Sequence, residues 1–284
     1  MNAPMGIGRQ ARWQGRFDTV PPLAWLAAQA AALWPHWQWA ASRLLDGSDD
    51  PLGLAALAAL AGLVWRMEPR LRGSPQPGWL AVAMGASLAA TIAGFVAPPL
   101  LGASLAVLAM AAGLRSLMPS GSAALPVAGL AVLALPVISS LQFYAGFPLR
   151  VVTAQASTWL LQAGGLDAER SGTAMQVAGR LVIVDAPCSG VQMVWMAYFC
   201  ACAVAAFTGM ADRRFLGRLP WVGLMVMAGN IVRNSVLVAL EARHAPVPES
   251  VHQGVGLVVL AAVCAGVMAV IHGGRPREDR HAVA

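Results

Sequence analysis

Lysine is absent from the 284 residues, and charged side chains of any kind make up only 11% of them. A soluble domain of this length carries roughly a quarter charged residues, because its surface must be solvated. The shortage therefore excludes an ordinary soluble globular protein, and no polar stretch is long enough to build a separate one. All 19 basic residues are Arg, a compositional mark of a GC-rich bacterial genome rather than of a chemistry. The net charge of +6 does not point to nucleic acid, because the Arg residues sit in short clusters between apolar runs, as membrane topology requires. Cysteine is also scarce. Four residues do not make a disulfide framework, and Cys200, Cys202 and Cys264 lie inside apolar runs, where Cys behaves as a small hydrophobe. Cys200 and Cys202 leave a helix in different directions with no His nearby, so neither a metal nor any other cofactor is expected. The first twenty residues are polar and basic and lack an apolar core, so no secretory signal peptide is expected.

What the chain has in abundance is apolar sequence: 58% of its residues, with a mean hydropathy of +0.63. A bilayer core asks for about 20 apolar residues per helix. Runs of that kind fall at 20–40, 52–67, 78–97, 98–118, 123–143, 190–210, 219–240 and 252–272. The first contains Pro35, His36 and Gln38, the second is short, and Pro98-Pro99 reads as a tight turn between the third and fourth. The expected fold class is all-α: a polytopic transmembrane bundle of about eight spans. Arg9, Arg12 and Arg16 precede the first run, Arg66, Arg70 and Arg72 follow the second, and Arg115 ends the fourth. Arg213, Arg214 and Arg218 follow the sixth, and Arg275, Arg277 and Arg280 follow the eighth. With eight spans these groups share one side, which the positive-inside rule makes cytoplasmic, with both termini. The expected organisation is a cytoplasmic tail (1–19), N-terminal spans (20–143), a core with three spans (144–272) and a basic cytoplasmic tail (273–284).

Segment 144–189 is then an outer, non-membrane piece. Leu149, Val152, Ala156, Trp159 and Ala163 recur at helical spacing, which predicts an amphipathic helix over 149–163 lying on the membrane surface. Residues 174–178 and 181–184 flank Gly179-Arg180 and predict a short hairpin.

Three features converge on that outer side. Asp185-Ala186-Pro187-Cys188-Ser189-Gly190 opens the sixth run, with Asp185 suited to an N-cap and Pro187 to a first helical turn. A thiol there feels a helix dipole that favours the thiolate, while the Asp185 charge opposes it. Arg233 lies inside an apolar run with Asn230 three residues earlier on the same helix face, and an intramembrane Arg costs several kcal/mol unless paired or hydrated. His252 opens the eighth run, with Ser250 before it as a candidate helix cap. A thiolate nucleophile, a proton shuttle and an oxyanion stabiliser are the parts of cysteine acyl transfer.

With these residues in this order, the chain resembles the exosortase/archaeosortase family of membrane-embedded transpeptidases. The resemblance rests on Cys188-Ser189-Gly190, Asn230-x-x-Arg233, His252 with Gly256, and the lead-in Phe147-Pro148-Leu149-Arg150. It covers about residues 140–272. It implies Cys188 as nucleophile, His252 as proton donor and acceptor, and Arg233 as oxyanion stabiliser, with Asn230, Ser189 and Asp185 in support. It also implies the partners: exported proteins with a C-terminal sorting tail, made of a short Pro-Glu-Pro-like motif, one transmembrane helix and a basic cluster. The active site is then expected at the outer face of the inner membrane, among membrane lipid and without nucleic acid. Two departures mark a divergent subfamily: Gln253 stands where the family often has Asp, and Val191-Gln192 where Leu-Arg is common. Asp185 or Glu249 is a candidate replacement for the missing carboxylate. Two competing classes remain at this level. One is a non-enzymatic transporter or assembly subunit for envelope polysaccharide, since buried Arg and His also line substrate paths. The other is a serine intramembrane protease using Ser122 beside Gly121.

Overall fold

The structure is a computed structural model, described here for residues 20–119, 121–183, 189–243 and 247–273. It is predominantly helical, and the chain divides into two compact units: residues 1–136 with 206–212, and residues 137–205 with 213–284.

The first unit begins with α1 (Pro22–Ala32) and α2 (Trp34–Leu45). The expected first span is thus two short helices, because Pro35 lacks an N–H and its ring disfavours a continuous helix through Leu33. Polar groups of this segment find partners inside the protein. Gln29 Nε2 donates to Ser87 Oγ (3.1 Å) and to the Ala109 carbonyl (2.9 Å), and Trp37 Nε1 donates across the break to the Ala30 carbonyl. His36 is buried against Gly102, where a Cβ would lie 2.8 Å from its Cε1. The second expected span is α3 (Gly53–Met67), whose 15 residues reach only about 22 Å.

Helices α4 (Pro77–Val96) and α5 (Pro99–Leu117) form an antiparallel pair around the predicted Pro98-Pro99 turn. The buried residues of α4 are Ala83, Ala90 and Ala93, and α5 answers with Gly102, Ala103, Ala106, Ala109 and Gly113. The bulky Val82, Leu88, Ile92 and Phe95 point outward. Small residues inside and large apolar residues outside are what membrane helices use, since close backbone approach replaces the hydrophobic effect there. The unit closes with α6 (Leu125–Leu133), whose first amides, Ala124 N and Leu125 N, donate to Asp212 Oδ1.

The second unit begins with α7 (Ile138–Ala163), 26 residues long and continuous through Pro148. The fifth expected span therefore stops at Leu133, and the predicted surface helix begins eleven residues earlier than expected, at Ile138. Its apolar face is real, since Phe147, Val152 and Trp159 are exposed, but its other face is buried in protein through Thr153, Ala154, Ser157 and Leu161. Next comes a three-stranded antiparallel sheet of β1 (Ala168–Ser171), β2 (Ala174–Val177) and β3 (Arg180–Ile183), in that order. The predicted hairpin is its second half, pairing Val177 with Arg180. Ala178 (φ 50°) and Gly179 (φ 79°) are both left-handed, as a type I′ turn requires. Strand β1 was not expected; Gly172 (φ 63°) turns it into β2. Ala168, Met175 and Val177 pack against Ala154 and Leu161 of α7, which fixes the sheet to the helix.

After the sheet come α8 (Val191–Thr208), the short α9 (Asp212–Leu216), α10 (Leu219–Arg243) and α11 (Glu249–His272). Among the described residues, α4, α5, α8, α9 taken together with α10 (Asp212–Ala242), and α11 are long and apolar enough to cross a membrane, and a sixth span results if α6 and α7 count as one broken span. The all-α polytopic class stands, with five or six such spans in place of eight. Of the other runs, the first is broken by Pro35 and the second is cut short at α3, while the fifth, interrupted at 134–137, is the broken pair that would make the sixth span.

Candidate active site

Helices α10 and α11 pack antiparallel, and glycine sets their distance: a Cβ on Gly229 would lie 2.4 Å from Val263 Cγ2. Arg218 Nη1 donates to the Val270 and Ile271 carbonyls and so caps the C-terminal end of α11. At the other end of the pair, Arg233 of α10 meets His252 in the first turn of α11, with Arg233 Nη2 3.4 Å from His252 Nε2. A guanidinium has donors only, so any hydrogen bond in this long contact runs from Arg233 to the imidazole. Gly256, one turn after His252, gives the Arg233 side chain its room: a Cβ there would lie 3.3 Å from Arg233 Nε.

Asn230 is buried one turn before Arg233, and its Nδ2 donates to Thr153 Oγ1 of α7 (3.0 Å). Four residues on, Asn234 Nδ2 donates to Ser157 Oγ, also at 3.0 Å. Two buried polar pairs thus join α10 to α7. Gly190 lies directly on Asn230: it has φ +82°, and a Cβ there would sit 2.7 Å from Asn230 Cγ. Ser189 is 2% exposed; its Oγ donates to Gln142 Oε1 of α7 (2.8 Å) and accepts from Val191 N. Of the dipeptide that follows Cys188, Ser189 is therefore held by α7, and Gly190 lies against Asn230 of α10. Cys188 and Asp185 themselves lie outside the described residues. Two virtual bonds of about 3.8 Å keep the Cys188 Cα within about 7.6 Å of Gly190.

The geometry corrects several local expectations. Helix α8 begins at Val191, so neither Asp185 as N-cap nor Pro187 as a first-turn residue describes its start, and Cys188 precedes the helix by three residues. The reason is Gly190, whose left-handed φ cannot belong to a right-handed helix. Ser250 is not the cap of α11, because Pro248 occupies that position and the helix starts at Glu249. Glu249 Oε1 accepts a hydrogen bond from Gln253 Nε2 (3.0 Å), so this carboxylate is engaged with the residue that follows His252. Cys200 and Cys264, read separately as small hydrophobes, face each other with sulfurs 3.7 Å apart. No group of three or more metal-ligating side chains occurs among the described residues. Ser122 sits in a turn closed by its amide on the Pro119 carbonyl.

Sequence reasoning passed over Gln142, Thr153, Ser157 and Asn234. The signal was present: Gln142, Gly146, Thr153 and Ser157 recur at intervals of four and seven, one stripe of a helix, in a stretch read only for its apolar face.

A comparison with protein families matches the transmembrane exosortase model over residues 37–269, well over half of the chain. The chain belongs to the transmembrane exosortase family. The match begins well before the 140–272 stretch that carried the motifs and takes in most of α2 and all of α3 to α6, while α1 precedes it. No curated protein and no solved structure matches the chain. Family and fold together make this exosortase a multi-pass membrane protein.

Proposed function

We propose that this exosortase is a cysteine transpeptidase that cleaves the C-terminal sorting tail of exported proteins at the outer face of the inner membrane. The observation that carries the reading is the shared face of α10. Asn230 holds Gly190, two residues from Cys188, and Arg233, one turn along, touches His252.

In this reading the Cys188 thiol gives its proton to the His252 imidazole, and the sulfur attacks the scissile carbonyl carbon. The carbonyl oxygen becomes an oxyanion, and the Arg233 guanidinium supplies the charge-assisted donors that stabilise it. When the tetrahedral intermediate collapses, the C–N bond breaks. His252 returns the proton to the departing amine, and the exported protein remains as a thioester on Cys188. An acceptor amine or water then attacks the thioester and regenerates the thiol. Sidedness follows from the Arg pattern. Arg213, Arg214 and Arg218 lie at the opposite end of α8 and α10 from Gly190 and Arg233, which by the positive-inside rule supports a site on the outer, periplasmic side. A tail made of a motif, a membrane helix and a basic cluster presents its motif at that depth.

The test is co-expression with a tail-bearing protein. Cys188→Ala, Arg233→Ala and His252→Ala are each expected to insert normally and leave the tail uncleaved. Undiminished processing in Cys188→Ala contradicts the proposal.

A further inference from the structure

Helix α7 has its polarity reversed for a membrane protein's exterior: Phe143, Phe147, Val152 and Trp159 are exposed, while Thr153 and Ser157 are buried. Polar side chains turned into a helical bundle must find partners there, because the lipid offers none. Two residues of this stripe find their partners in the candidate site, and a third finds its partners beside it on α10. Gln142 Oε1 accepts from Ser189 Oγ, and Thr153 Oγ1 accepts from Asn230 Nδ2, with Asn230 in contact with Gly190. Ser157 Oγ accepts from Asn234 Nδ2. Gly146 leaves space for the Gln142 carboxamide, since a Cβ on it would lie 2.9 Å from Gln142 Nε2.

We infer that Gln142 and Thr153 are positioning residues for the nucleophile. They form two separate tethers from α7 that set the backbone following Cys188 against the helix carrying Arg233. This rests on the reading of Cys188 as nucleophile and deepens it. The Gln142 tether ends on Ser189, the residue next to Cys188. The Thr153 tether acts through Asn230 on Gly190 and at the same time fixes the rotation of α10, three residues from Arg233. Slack in either tether changes the distance between the Cys188 sulfur and the Arg233–His252 pair without removing any reacting group. Tail recognition by the rest of the molecule is untouched, so the loss falls on kcat and not on KM. A misplacement near 1 Å at a reacting centre costs about 10²-fold in rate.

The experiment uses the full-length protein in lipid nanodiscs with a tail-bearing substrate, at equal amounts of monodisperse protein. Thr153→Val keeps the side-chain shape and removes the hydroxyl acceptor; Thr153→Ser keeps the acceptor. The expected result is kcat lowered by about 10²-fold in Thr153→Val with KM within about twofold, and activity restored to within about threefold in Thr153→Ser. Equal losses in the Val and Ser variants overturn the Thr153 tether, because the hydroxyl then does not matter. Gln142→Met and Ser189→Ala form an independent arm. If Gln142 acts through Ser189, the double variant is no slower than the worse single one, whereas multiplied losses overturn that tether. This arm also decides the matter if Thr153→Val does not fold. Cys188→Ala runs alongside. Wild-type kcat in Thr153→Val and Gln142→Met beside an inactive Cys188→Ala overturns the positioning role alone, and processing that survives in Cys188→Ala overturns the nucleophile reading itself.

Discussion

Replacing Gly190 by Ala separates two effects that the structure superposes at this residue. The first is backbone strain: at φ +82° a non-glycine residue costs about 1–2 kcal/mol. The second is overlap, because the new Cβ would stand 2.7 Å from Asn230 Cγ and 2.8 Å from its Nδ2, and Asn230 is held by Thr153. Overpacking of this kind costs about 1–3 kcal/mol. Gly165 supplies the control, since its φ of +80° is nearly the same, it lies in the same unit, and no atom comes within 4 Å of a Cβ built there. Gly165→Ala therefore carries the strain alone, offset by the roughly 0.4–1 kcal/mol that Ala gains by restricting the unfolded chain. Gly190→Ala is expected to lower the melting temperature of the detergent-solubilised protein at least twice as far. If the segment shifts instead of the fold yielding, about 2 kcal/mol appears as a roughly 30-fold slower tail cleavage. The assay is a thermal melt followed by size-exclusion chromatography, paired with processing of a co-expressed tail-bearing protein. Equal melting temperatures and equal processing in Gly190→Ala and Gly165→Ala would refute the claim that Gly190 is pressed against Asn230.

Other consequences follow from the same contacts. A double-mutant cycle of Asn234→Ala with Ser157→Ala should give a coupling of about 0.6–1.7 kcal/mol, the range of interhelical hydrogen bonds in membranes, read from unfolding in mixed micelles; zero coupling would mean that the pair does not join α7 to α10. Arg218→Ala, which uncaps α11, should cost about 0.3–2 kcal/mol and accelerate amide exchange in the last turn of α11 only. Mild oxidation with copper phenanthroline should link Cys200 to Cys264, whose sulfurs lie 3.7 Å apart, and the bridged peptide pair found by mass spectrometry should vanish in Cys264→Ser.

Much of the fold could be read in advance because membrane burial leaves a simple trace in sequence. The apolar runs that became α4, α5, α8, α10 and α11 are long and free of internal breakers, and the Pro98-Pro99 turn needed only the geometry of proline. Hydropathy failed where it counts apolar residues without weighing the backbone. It joined α1 to α2 across Pro35 and divided α7 at Pro148, although the latter helix continues, as membrane helices often do where neighbours satisfy the freed groups. In the site, Arg233 and His252 could be found because charge and imidazole are rare in such a chain. Gln142 and Thr153 share a helical stripe that the sequence displays, but what the stripe does depends on Ser189 and Asn230, partners on other elements that the sequence does not reveal. The requirement for glycine at 190 has the same origin. The motif shows the residue, but its reason is Asn230, forty positions away in the chain.

The central claim, that Cys188 carries the substrate as a thioester, is tested most directly by trapping that species. Protein purified after co-expression with a tail-bearing substrate would be quenched in acid, digested and analysed by mass spectrometry. The account predicts a Cys188 peptide whose added mass equals the new C-terminal peptide of the retained exported protein less one water, which is lost on hydroxylamine treatment and absent from Cys188→Ala. Tail cleavage proceeding with Cys188 free at every time point, or at full rate in Cys188→Ala, would contradict it.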